Sequence, residues 1–114
     1  MESVTFDVRL EPAEARDIVK TAFYKRGLDL KWRDERHGTA GLQLFRGLTY
    51  RGIFGGEYRI GVSVTPHDGG CTIRIDPDDF TVLGQRTMGR KLRLLDSDLR
   101  TTFERAGVLT NPAP

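Results

Sequence analysis

The sequence is poor in the residues that carry most chemistry. One cysteine, Cys71, two histidines and one tryptophan are spread over 114 residues. A single thiol closes no disulfide within the chain, so the fold must be held by packing, and a reducing compartment is expected. His37 and His67 fall in separate predicted turns, and Cys71 falls on an apolar alternation. Together they make neither a metal-ligand set nor a nucleophile–base pair, so no catalytic residue, metal or other cofactor is expected. No stretch approaches the ~20 apolar residues that span a bilayer. The N-terminus lacks the basic region and apolar run of a signal peptide. A cytoplasmic protein without a transmembrane segment is the expectation. Neither charge sign dominates: eighteen basic residues face sixteen acidic ones, a net +2. That balance does not point to nucleic acid.

What remains is the composition of one packed domain. Apolar residues make up 38% and charged residues 30%. A chain of this length buries about two-thirds of its surface on folding. A single domain over 1–109 with a frayed tail over 110–114 is expected.

The stretch 57–76 is the most patterned. Tyr58, Ile60, Val62 and Val64 alternate with polar residues, as do Cys71, Ile73 and Ile75. Pro66 to Gly70 supply turn chemistry between them. Matching the apolar faces pairs Val64 with Cys71, Val62 with Ile73 and Ile60 with Ile75, leaving 66–69 as a four-residue loop. Arg59 and Asp76 then become cross-strand neighbours.

Upstream, Val4, Phe6, Val8 and Leu10 alternate as a half-buried strand. Pro12 suits a helix start, and Gly27 suits its end. The stripe Ala15, Ile18, Val19, Ala22 and Phe23 predicts a helix over 12–26. Leu28, Leu30 and Trp32 then alternate, as do Ala40, Leu42 and Leu44. Face matching pairs Trp32 with Ala40, Leu30 with Leu42 and Leu28 with Leu44, through a polar turn at 34–38. Downstream, Leu92, Leu95, Leu99, Phe103 and Ala106 mark a second helix over 90–106. Gly107 ends it, and Val108 and Leu109 pack back. Asp76, Asp78 and Asp79 read as an exposed Asp-Pro turn rather than a cation site.

The element order β-α-β-β-β-β-α predicts an α+β fold: one antiparallel sheet with both helices on one face. As an order of elements it resembles the repeat unit of the TATA-binding protein and related helix-grip-like domains. It also resembles small bacterial domains of unknown function with a Gly-rich stretch between the third and fourth strands. The resemblance lies in topology alone and carries over no functional residue.

Two long irregular connections stand out, 45–56 and 76–89. Capping the core, or extending the adjoining strands into a longer hairpin, is the plain reading of both. The functional reading is a non-enzymatic binding or adaptor domain with loops 45–56 and 80–91 as its contact surface. Arg46, Tyr50, Arg51, Phe54, Phe80, Arg86 and Arg90 are then the contact residues, for a protein partner or a second copy. A carrier of a small apolar ligand or lipid beneath the same loops is the alternative. A further alternative is weak nucleic-acid binding through sheet-face cations Arg9, Lys31, Arg33, Arg59 and Arg74. That face is expected to hold no aromatic side chain for stacking.

Overall fold

The computed structural model describes residues 3–37, 42–53 and 56–110. It is an α+β fold with one antiparallel five-stranded sheet and two helices. Strand β1 (Val4–Val8) places Phe6 and Val8 in the core through its alternation. Helix α1 (Pro12–Lys25) starts at Pro12, whose missing N–H costs nothing there. Gly27, at φ +75°, ends it, and Leu28 donates to the Phe23 carbonyl. Strands β2 (Lys31–His37), β3 (Leu42–Ile53), β4 (Gly56–His67) and β5 (Gly70–Phe80) follow. Helix α2 (Val82–Ala106) closes the chain order, and Gly107 at φ +69° ends it. The sheet order is β1-β5-β4-β3-β2.

Both helices pack on one sheet face. Val19 and Phe23 of α1 and Leu92, Leu95, Leu99 and Phe103 of α2 join Val62, Val64, Ile73 and Ile75 in one buried cluster. Phe6 meets Phe103 edge-on at 5.6 Å. Arg16 lays its guanidinium over Phe45 at 4.7 Å, and Arg100 lies over Phe6 at 5.1 Å. Val108 and Leu109 pack back as expected, with Leu109 bridged to Val8. Thr110 is tied to the Asp7 carbonyl rather than frayed, and 111–114 lie outside the described residues. Ala106 is exposed and leaves the helical stripe.

The hairpin register differs from the sequence reading. Val64 pairs with Ile73, Val62 with Ile75 and Pro66 with Cys71. The loop is two residues, Asp68 and Gly69, because Gly69 supplies the φ of +82° that a tight turn needs. Pro66 and His67 thereby join the strand. The slip is two residues, so every apolar side chain stays on its face. Asp76 now lies opposite Gly61, and Arg59 lies opposite Asp79. The predicted Arg59–Asp76 neighbours are therefore apart.

The β2–β3 register also differs. Trp32 pairs with Gly47, not Ala40, and Leu44 pairs with Glu35. Gly47 is required there, since a Cβ would stand 2.9 Å from the Trp32 ring. Leu42 falls opposite His37, which lies in a strand rather than a turn. Leu28 and Leu30 are buried ahead of β2.

Among the described residues, neither long connection is a loop. Most of 45–56 belongs to β3 and β4, which pair from Phe45–Val64 through Ile53–Gly56. The hairpin extension is thus what the chain adopts. The predicted Asp-Pro turn is also strand. β5 continues through Pro77 by a one-residue irregularity between the Ile60–Pro77 and Arg59–Asp79 pairs. A bulge is where a sheet accommodates a proline, which has no N–H to give. α2 begins at Val82, eight residues before the expected start.

Candidate functional site

A single residue joins β5 to α2. The Thr81 hydroxyl accepts the Gly84 N–H at 3.1 Å and the Glu57 N–H at 3.0 Å, while Thr81 N–H donates to the Glu57 carbonyl at 3.0 Å. This one side chain caps the helix and fastens it to the start of β4. Gly84 sits directly on that strand, where a Cβ would stand 1.9 Å from the Glu57 oxygen. The corner is rigidly built, yet its outer side is apolar. Phe80 is 40% exposed, Val82 88% and Leu83 67%.

Tyr50, 54% exposed, borders this end from β3. Tyr50 and Phe80 line one small depression of about 70 Å³ with Glu57, Tyr58, Arg59 and Thr81. The β5 bulge turns Phe80 to the side of Tyr58, its partner across the ladder. Arg86 and Arg90 are exposed on α2, one and two turns past Val82. Tyr50 and Phe80 thus border one depression at this end of the sheet, Tyr50 from the open face and Phe80 from the side of Tyr58, and Arg86 stands on the adjoining helix. Arg46 stands further along β3, on the open sheet face. Arg51 belongs to β3 by its backbone, and Phe54 lies outside the described residues. Val82 and Leu83 are the strongest features of this end. They are not among the predicted contact residues, because the helical turn that carries them was not predicted.

The open face is the second candidate surface. β3 alternates with Thr49 buried and Leu48 and Tyr50 exposed, so the latter two join the open face. The expectation of a face without an aromatic is overturned. The β3 alternation had been obscured by apolar residues on both sides. Tyr50 pairs with Arg59, whose guanidinium lies 6.0 Å from the ring centre. The Arg59 Nε is buried without a hydrogen-bond partner among the described residues. Arg74, Ser63, Arg46 and Arg33 stand side by side across four strands. Arg74 also bonds Asp76 at 2.9 Å, and Lys31 lies 3.6 Å from Asp29. Arg9 departs from this set, since it bonds the Gly107 carbonyl at the end of α2.

A third feature is a groove of about 580 Å³ between α1 and α2. Ile18, Thr21, Ala22 and Thr102 line it, and the Arg26–Asp98 pair closes one side. Arg26 donates twice to Asp98, at 2.6 and 2.7 Å, and its carbonyl accepts from Lys91. Those hydrogen bonds hold the Asp98 carboxyl below its usual range against a desolvation cost, and they raise Arg26. The groove lies between the helices, not beneath the segments where a carrier pocket was expected. The space between sheet and helices is occupied by the buried cluster.

The residues with nucleophilic or ligand character do not gather into one site. Cys71 is fully buried, and burial first, then the Asp7 charge, pushes its thiol up to about 11. His67 is in β4, 3.9 Å from Asp7. Among the described residues no three His, Cys, Asp or Glu side chains gather as metal ligands. No helix among them is long and apolar enough to cross a membrane. The chain matches no protein-family model, no curated protein and no solved structure.

Proposed function

We propose that the chain is a non-enzymatic binding domain that contacts a second copy of itself through the end formed by Phe80, Val82 and Leu83. The carrying observation is the exposure of these three side chains on a corner whose backbone is fixed by Thr81. A rigid apolar surface loses little conformational freedom when covered, so its desolvation converts efficiently into binding. Glu57 and Asp78 are exposed near it, as is Arg86. A two-fold contact sets one patch against its own copy, and a rim carrying both signs can complement itself there. Tyr50 stands at the margin of this surface.

Sedimentation velocity over a concentration series tests the reading. The wild-type chain is expected to shift from monomer to dimer, and Leu83→Asp is expected to stay monomeric with an unchanged melting temperature. A wild-type chain that remains monomeric throughout the series contradicts it. So does a Leu83→Asp chain that dimerises as well as wild type.

A further inference from the structure

We infer that the open sheet face is a second, separate binding site, and that its ligand is single-stranded nucleic acid. The face offers the two elements such a ligand needs: cations in a row across the strands and, to one side of the row, an exposed ring further along β3. Arg74, Arg46 and Arg33 align across the strands at one level of the sheet, with Ser63 between the first two. Neighbouring strands are about 4.8 Å apart, so Arg33 and Arg46 stand one strand spacing apart and Arg46 and Arg74 two, distances that bracket the spacing of phosphates along an extended strand. Four residue pairs along β3 and β4 from the Arg46–Ser63 pair stands the Tyr50–Arg59 pair. Between the two levels the floor is low. Gly61 has nothing within 4 Å of where a Cβ would be, and Leu48 lies beside it, 39% exposed.

The chemistry favours a single strand over other polyanions. Guanidinium groups hold phosphates, while an aromatic ring held by a cation stacks on a base whatever its identity. A duplex hides its base faces and would use only the cations. Carboxylates temper this charge: Asp76 engages Arg74 and bonds Ser3 at the sheet's edge, Asp29 lies beside Lys31, and Glu57 lines the depression beside Tyr50. The low net charge of +2 predicts weak binding that depends on this face rather than on the whole molecule.

The experiment is fluorescence anisotropy of a labelled twelve-nucleotide oligo-dT titrated with the whole protein. With three or four phosphates contacted, affinity should fall about 20- to 50-fold between 50 and 200 mM salt. Tyr50→Ala should weaken binding about 5- to 150-fold, and Tyr50→Phe should restore it. Arg33→Glu with Arg46→Glu should abolish binding and leave the dimer unchanged. Leu83→Asp should leave oligonucleotide affinity unchanged, so a failure of the self-association reading is distinguishable from a failure here. The inference is overturned by absence of binding at 50 mM salt. It is also overturned if Tyr50→Ala binds like wild type, or if heparin or a duplex of equal length binds as well as oligo-dT.

Discussion

Glycine has opposite meanings at two positions of this fold. At Gly84 the helix lies on the Glu57 backbone, and a methyl group would meet the carbonyl oxygen at 1.9 Å. Backbone cannot swing aside as a side-chain tip can, so Gly84→Ala should destabilise by about 1–3 kcal/mol or more. At Gly61 the same methyl group meets nothing within 4 Å. Gly61→Ala should be neutral or gain up to ~1 kcal/mol by restricting the unfolded chain. Chemical denaturation of the two variants checks both signs. Asp98 makes a separate residue-scale prediction. Its carboxyl is lowered mainly by the hydrogen bonds from Arg26. A lowered folded value means a contribution present above the ordinary carboxyl range and lost as pH falls through the folded value. Below about pH 4 the wild type should therefore lose stability more steeply than Asp98→Asn. Parallel acid limbs in the two melting profiles would remove the pair from the account.

The elements obey different rules of legibility. Strand β4 can be tested at its centre, where Val62 is 3% exposed between both helices and the sheet. Val62→Asp should cost several kcal/mol, on the order of the burial of an unpaired charge, and a cooperative near-wild-type melt would contradict the face assignment. That face was readable because alternation states which side a residue faces. Alternation does not state register, since a slip of two residues preserves every face. The Asp68-Gly69 turn decided it, in competition with a longer loop that also satisfied the pattern. β3 was hidden for another reason. Phe45 is buried with the core while Leu48 and Tyr50 are exposed on the other side, so the apolar residues mark two faces at once. Gly47 and Gly52 added apparent breaks, although Gly47 serves to seat Trp32. The first turns of α2 were masked likewise by Gly84 and Gly89, and by exposed Val82 and Leu83 where polar residues would normally mark the outer helix face. The hidden segments are therefore largely those that build the candidate surface. Local rules are broken there because a tight backbone approach and an exposed apolar end both require it.

At the scale of the molecule, the two helices close one face of the sheet with a filled core and, among the described residues, leave two surfaces without cover. One is the apolar end at the β5–α2 corner, and the other is the cationic open face with Tyr50 at its margin. The interhelical groove differs from both, because an ion pair and threonine hydroxyls line it beside Ile18 and Ala22. The central claim is that the β5–α2 corner is the contact surface. Amide hydrogen exchange read by mass spectrometry at rising protein concentration measures it most directly. Added protection is predicted in the peptides covering 80–86 and 57–59, with none along α1 or in 3–8. Exchange that is independent of concentration at 80–86, or protection that appears along α1 instead, would contradict the account.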